Sequence, residues 1–114
     1  MMNHVLYGAT IPFLIGMLLY VMRRGRASLV MLILIPLAMT SLALWASAPD
    51  IPRMLGFHDF YQRIHFDPRI NIFLWHFTID QNETDSSWYT VGVALEAAGV
   101  MTMAIRTLFQ EEKR

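Results

Sequence analysis

Two long stretches without charged side chains occupy the first half of the chain. Residues 5–22 carry no charge and are followed by Arg23, Arg24 and Arg26, and residues 27–47 are again uncharged. Each stretch is close to the roughly 20 residues that an α-helix needs to cross the hydrocarbon core of a bilayer. We therefore predict two transmembrane helices, at about residues 5–22 and 27–47.

A third stretch, residues 88–109, is long enough to span but less apolar, because it contains Glu96 and Arg106. Trp88 and Tyr89 stand at one edge and Phe109 at the other, where aromatic side chains anchor a helix at the two interfaces. We predict a third transmembrane helix over these residues.

The connector between the second and third spans, about residues 48–87, has a mixed character. Residues 49–68 interleave aromatic and charged side chains, which is typical of a helix lying in the interface, and residues 70–79 are apolar but too few to span. We predict one or two short interfacial or re-entrant helices here. The whole chain, residues 1–114, is expected to be a single all-α integral membrane domain.

Composition narrows the kinds of site and partner. The 114 residues include no cysteine, which excludes a disulfide framework, a cysteine nucleophile, a thiolate zinc site and an iron–sulfur centre. Nine basic and nine acidic side chains give a formal net charge of zero, so the basic excess of a nucleic-acid-binding protein is missing. The expected partners are the lipid bilayer and other membrane subunits or further copies of this chain.

The basic residues also predict an orientation. Three arginines lie in residues 23–26, and residues 106–114 hold Arg106, Lys113 and Arg114. Because basic residues near span ends are retained in the cytoplasm, the C-terminus is predicted inside and the N-terminus outside. The connector then lies outside, and its excess of carboxylates over arginines agrees with this orientation.

A histidine and two carboxylates in the connector have a spacing that suits a cation. His76 and Asp80 are four residues apart and Glu83 follows three later, so one continuous helix would place all three on the same face. Imidazole nitrogen and carboxylate oxygen are acceptable ligands for Zn²⁺ or Mn²⁺. The alternative is structural: Asp80 as the N-cap of the third long helix, with Glu83 completing a capping box.

Further candidate ligands are expected at the same leaflet. Asp50 directly follows the second span between two prolines, and His4 enters the first span from the same side. We predict a divalent-metal site made by Asp50, His76 and Asp80, with His4, His65 and Glu83 as supplementary ligands. If the site is catalytic, Glu83 or another carboxylate is the expected general base.

The order of these residues resembles the family of membrane-bound metal-dependent hydrolases, including its LexA-regulated bacterial inner-membrane type. The matching positions are His4 at the head of the first apolar segment, Pro-Asp-Ile at residues 49–51, and His-x-x-x-Asp at residues 76–80. Where the family continues with Asp-His after Pro-Asp-Ile, this chain has Pro52 and Arg53. The resemblance implies a short, divergent member in a bacterial inner membrane, with metal-dependent hydrolysis as its chemistry.

Other functions remain open at this point. The chain has the size of a non-catalytic accessory subunit of a larger membrane complex, and His4 or His76 are candidate axial ligands for a haem or another pigment. Glu96 is a functional candidate as an intramembrane carboxylate, although a structural hydrogen bond to a hydroxyl of a neighbouring span is favoured. The candidate partners for that hydrogen bond are Thr10, Thr40 and Ser41.

Overall fold

The computed structural model describes residues 1–113, which form helices and turns and contain no strand. Three long helices carry the fold: α1 (Met2–Met22), α2 (Leu29–Ser47) and α6 (Ser87–Glu112). The connector contains α3 (Ile51–Met54), α4 (His58–His65) and α5 (His76–Asn82), together with 3-10 turns at Ala48–Asp50 and Pro68–Ile72. The prediction of an all-α fold is confirmed.

The three long helices are each long and apolar enough to cross a membrane, as predicted. The first and third are longer than predicted, because α1 already begins at Met2 and α6 continues to Glu112. The connector has more short elements than the one or two expected. Its prolines explain this, since Pro49, Pro52 and Pro68 each lie within the first two positions of an element, where a proline is tolerated and starts a new turn.

The outer surfaces of the long helices are apolar. Large side chains such as Leu18, Val21 and Leu29 are 61%, 71% and 73% exposed. A soluble protein rarely exposes so large a contiguous apolar surface. These side chains are suited to contact with lipid, so the chain is a membrane protein by the character of its surface as well as by helix length.

Small residues bring α1 against both neighbouring helices. A Cβ atom at Gly8 would lie 2.8 Å from the Cα of Ala43, so the α1 and α2 backbones are in direct contact there. A Cβ at Gly92 of α6 would lie 3.0 Å from the Leu6 side chain of α1. Such small-residue contacts replace the hydrophobic driving force that is missing between helices in lipid.

These contacts also fix the helix directions. Gly8 meets Ala43 and Gly16 meets Ile35, so α1 and α2 run antiparallel, whereas the contact of Leu6 with Gly92 at the start of α6 sets α1 and α6 parallel. The start of α1, the end of α2 and the start of α6 therefore lie at one end of the bundle. The connector covers this end, and the arginine-rich turn lies at the other. We call the connector end the outer end, after the orientation predicted from the sequence.

Farther along the bundle the core is apolar apart from Glu96 and Thr107, whose hydroxyl donates to the carbonyl of Met103. Met31, Ile35, Val100 and Met103 form the buried cluster. Glu96 is buried and accepts a hydrogen bond from the Thr10 hydroxyl of α1. The predicted structural hydrogen bond of Glu96 is thus present, and Thr10 is the partner among the three candidates.

Candidate metal centre

Three separate segments bring His4, Asp50 and His76 together at the outer end. His4 lies in the first turn of α1, Asp50 ends the 3-10 turn after α2, and His76 begins α5. Each residue offers one ligand atom, and the three atoms lie within 4.8 Å of one another. Both histidines are completely buried and Asp50 is only 3% exposed, so the group has the ligand number and spacing of a metal site.

The ring of His76 is held by a backbone carbonyl. Its Nδ1 donates to the carbonyl oxygen of Ala46, the residue next to the end of α2, at 2.7 Å. A hydrogen bond of this kind fixes the tautomer and orientation of a metal-binding histidine, because it leaves Nε2 as the nitrogen with the free lone pair.

The free nitrogen of His76 faces two carboxylates. Nε2 lies 3.4 Å from Oδ1 of Asp50 and 3.2 Å from Oδ2 of Asp80. Neither Nε2 of His76 nor Oδ2 of Asp80 makes a hydrogen bond. For a neutral imidazole this arrangement sets a lone pair against the lone pairs of two anions. Positive charge is needed between these atoms, either as a proton on His76 or as a bound cation.

The electrostatics agree with that requirement. Burial disfavours the imidazolium form of His76, but the carboxylates of Asp50 and Asp80 outweigh it and raise the pKa of His76 to about 9. For Asp80, burial works against the carboxylate, while His4 and His76 hold its pKa well below the usual range. The metal-free site is therefore an ion-pair network whose proton a divalent cation would displace.

Asp80 links the two histidines from the other side. Its Oδ1 lies 2.7 Å from Nε2 of His4, while its Oδ2 faces His76. The rings of His4 and His76 stack with their centroids 3.6 Å apart. His76 and Asp80 thus face each other across one turn of helix. The group whose ligand atoms converge differs from the predicted one, because it contains His4, predicted as a supplementary ligand, and not Asp80, predicted as a main ligand.

The backbone before α5 is turned sharply to aim His76 inward. Leu74 and Trp75 both have positive φ values, 53° and 57°, which are rare for bulky side chains. The turn leaves Trp75 64% exposed, while His76, the next residue, is fully buried. Asn71 stabilises the turn, because its side chain pairs with the backbone N–H and the hydroxyl of Thr78.

His65 lies at the edge of the cluster. Its Nδ1 is 3.5 Å from Oδ2 of Asp80, and its side chain is 24% exposed. His65 is therefore outside the three residues whose ligand atoms converge. His58, the fourth histidine, is exposed on α4 and is not part of the group.

Glu83 does not lie on the helix that carries His76 and Asp80. The helix α5 ends at Asn82, and Glu83 is extended, with φ −132° and ψ 144°. Its carboxylate accepts hydrogen bonds from the hydroxyls of Tyr7 and Tyr89, each at 2.7 Å. The hydrogen bond from Tyr7 and, to a smaller extent, that from Tyr89 lower the pKa of Glu83. Because its carboxylate is turned to these hydroxyls, the geometry offers no support for Glu83 as a metal ligand. Its role as a general base stays a prediction.

The alternative capping prediction for this segment is wrong. The N-cap of α6 is Ser86 and not Asp80, because residues 83–86 leave the helical conformation before α6 begins. The carboxylate of Asp80 instead pairs with the imidazole rings of His4 and His76.

Several residues of the site were not identified from the sequence. Asp85 accepts hydrogen bonds from the backbone N–H groups of Met2 and Asn3 and so caps the helix that carries His4. The side chain of Asn3 accepts from the His4 N–H at 2.8 Å. Asn3 could have been suspected, because it directly precedes His4 in the chain. The contact of Asp85 with Met2 and Asn3 could not, because these residues are far apart in the sequence.

Comparisons of the chain with protein-family models, curated proteins and solved structures found no match.

Proposed function

We propose that the protein is a metal-dependent hydrolase of the membrane surface that binds one divalent cation through His4, Asp50 and His76. The observation that carries the proposal is the position of the free Nε2 of His76, which is buried without a hydrogen bond between two carboxylates. Two nitrogens and one or two carboxylate oxygens are a donor set suited to Zn²⁺ or Mn²⁺. The resemblance to membrane-bound metal-dependent hydrolases supports the same chemistry.

The residues of the site have different proposed roles. His4, Asp50 and His76 provide three ligands, and the carbonyl of Ala46 orients His76. A divalent cation bound there would supply positive charge that lowers the pKa of water and polarises an ester or phosphoryl oxygen. His65, whose Nδ1 lies 3.5 Å from Oδ2 of Asp80 at the edge of the cluster, would accept the proton that the attacking water loses.

The overall reaction is an ordinary hydrolysis. The oxygen of water forms a bond to the carbon or phosphorus atom of an ester as the bond to the leaving oxygen breaks. One proton of the water goes to the leaving oxygen, and the other stays on the product or passes to His65. We propose that this occurs on the extracytoplasmic side of a bacterial inner membrane, with the C-terminus in the cytoplasm.

A haem or another pigment suits this site less well. The two candidate axial ligands, His4 and His76, stack on one another and are fully buried. Both Nε2 atoms also face carboxylates, so a macrocycle would have to separate the rings and displace Asp80. A role as an accessory subunit stays a prediction of the sequence.

Metal analysis of the purified protein tests the proposal. We expect one zinc or manganese ion per chain by elemental mass spectrometry after loading in detergent and desalting. His76→Ala and the isosteric Asp50→Asn should lose that ion, while the matched control His58→Ala keeps it. Unchanged metal content in both site variants would refute the site, and circular dichroism checks that each variant remains helical.

Activity is tested with the same preparations. We expect hydrolysis of a chromogenic carboxylic ester or phosphodiester to depend on the loaded metal, to stop with a chelator and to be absent in Asp50→Asn. A fully loaded protein that hydrolyses neither class of ester would reduce the proposal to metal binding alone.

A further inference from the structure

A groove of about 540 Å³ opens on the side of the bundle, between α1, α2 and α6. Its walls are apolar, with Val5 and Ala9 from α1, Pro36 and Met39 from α2, and Val93 and Val100 from α6. Along α2 it reaches from Pro36 to Ser47, which is roughly 16 Å at the rise of an α-helix. The groove therefore runs at bilayer depth and ends at the outer end of the bundle.

The outer end of the groove is polar. Ser47 lines the groove and is 2% exposed, yet its hydroxyl oxygen has no hydrogen-bond partner. A buried hydroxyl without a partner is costly, so this atom is suited to a polar group of a bound molecule. Ser47 follows Ala46, whose carbonyl holds His76, and precedes Asp50 by three residues. The groove and the metal centre thus share the end of α2.

Access to the centre from water is narrow. His4 and His76 are fully buried, and the partly exposed side chains of the cluster are Asp80 and His65, at 17% and 24%. The groove, in contrast, opens along the side of the bundle, and Met1 and Ser47 line it at its outer end. The amine of Met1 lies 3.7 Å from Oδ2 of Asp50, so a molecule in the groove lies one residue away from the centre.

The lining and position of the groove suit a hydrocarbon chain. A volume of 540 Å³ lies within the range of pockets that hold ligand-sized molecules. Its walls come from three helices that are each long and apolar enough to cross a membrane, so lipid acyl chains surround the opening and match its apolar lining.

We propose that the groove binds one acyl chain of a membrane phospholipid and places the ester and phosphate region of that lipid at Ser47, beside the metal centre. This inference deepens the proposed function, on which its consequence rests: the substrates of the centre are membrane lipids. Binding in the groove itself needs no metal, because none of the proposed ligands His4, Asp50 and His76 lines the groove.

Photo-crosslinking tests the groove. The probe is phosphatidylcholine with a diazirine on one acyl chain, present as a minor component of phosphatidylcholine vesicles that contain the full chain, and mass spectrometry locates the labelled residues. We expect labels to concentrate on groove residues such as Met39 and Val93. Ala97→Phe, which fills the groove, should lower this labelling about tenfold, whereas Ala98→Phe on the lipid-exposed neighbour outside the groove should not.

The polar end has its own variant. Ser47→Ala removes the hydroxyl and changes little else, and we expect the affinity for the labelled lipid to fall about fivefold, the effect of one lost hydrogen bond. An unchanged affinity would overturn the placement of the ester and phosphate region at Ser47.

Failure of this inference and failure of the proposed function have different signatures. Labelling of groove residues that persists after chelation and in His76→Ala, in a protein that binds no metal, would refute the metal centre and leave the groove. Labels spread evenly over Leu14, Leu18 and the groove, or crosslinks in the groove to a second protein chain, would overturn the acyl-chain proposal and leave the metal centre.

Discussion

The outer end and the midsection of the bundle are buried by different means. The buried side chains of the outer end are mostly polar: Asn3, His4, Ser47, Asp50 and His76. Those of the midsection are mainly apolar, with Met31, Ile35, Val100 and Met103 at the centre and Glu96 as the buried carboxylate. The long helices contribute to both regions, and the connector adds Asp50 and His76 at the outer end.

The difference indicates what each region does. Lipid contact and small-residue packing are enough to hold three spans together, as they do in the midsection. Burying five polar side chains at the outer end contributes little to that and costs desolvation unless each is satisfied. Several of these atoms are left without partners, which is the pattern of a region shaped for binding.

The largest expected effect comes from a substitution that should disturb both the helix packing and the metal centre. Gly8→Leu would push α1 away from the α2 backbone at Ala43, and α2 also carries the groups that hold His76. We expect a loss of about 1–3 kcal/mol in unfolding free energy in detergent, together with loss of metal binding. Ser41→Leu, at an exposed position of α2, is the size-matched control. A stable Gly8→Leu protein that still binds metal would show that the two regions are independent.

A pH titration tests the contribution of the outer end to stability without a mutation. The pKa of His76 is raised to about 9, so its charged form stabilises the metal-free fold below pH 6.5, and this contribution is lost as the pH rises toward 9. We expect Tm of the metal-free protein to fall over that interval. The gain in Tm on adding zinc should rise over the same interval, because protons compete less for His76.

The matched control for the titration is His76→Ala. It retains His4, His65, Asp50, Asp80 and the N-terminal amine, the other groups that face His76 or its neighbours, so the difference between the two Tm curves isolates His76. Parallel curves for the two proteins between pH 6.5 and 9 would contradict the ion-pair network.

A smaller effect is expected from the cap of α1. Asp85→Ala removes the acceptor for the Met2 and Asn3 N–H groups and should cost about 1 kcal/mol, measured by thermal unfolding. Since His4 lies in the same first turn, zinc affinity should also weaken, by less than in Asp50→Asn. Asp59→Ala, at an exposed position of α4, should change neither quantity; equal losses in both variants would argue against a specific cap.

The smallest effect is expected at Glu83. Glu83→Gln keeps an acceptor for the Tyr7 and Tyr89 hydroxyls and leaves the cluster untouched, so the metal content should not change. We also expect hydrolysis to stay within about tenfold of the unmodified protein. A loss of about a hundredfold or more, the usual contribution of a general base, would instead support the prediction made for Glu83 from the sequence.

Much of the fold could be predicted because lipid imposes a simple length rule. The uncharged runs ending near Met22 and Ser47 mark α1 and α2 closely, and the aromatic residues flanking the third stretch mark α6. The hydroxyl partner of Glu96 was also within reach, since Thr10 is one of few hydroxyls in the first span.

The site was predictable in part. His76 and Asp80 follow from helical spacing, and His4 and Asp50 from their position at the same leaflet. The end of α5 at Asn82 was not, because residues 83–86 carry no proline or glycine to mark a break. Asp85 as a cap for α1 depends on the packing of distant segments, which no local pattern encodes.

The three proposed ligands lie far apart in the order of synthesis, although they meet in space. His4 is made before α2, Asp50 directly after it, and His76 only after two of the three long helices are complete. If the centre binds a cation as proposed, a partly synthesised chain lacks the full ligand set. Loading would then follow assembly as a final maturation step, and on the proposed topology the ion would come from the outer compartment.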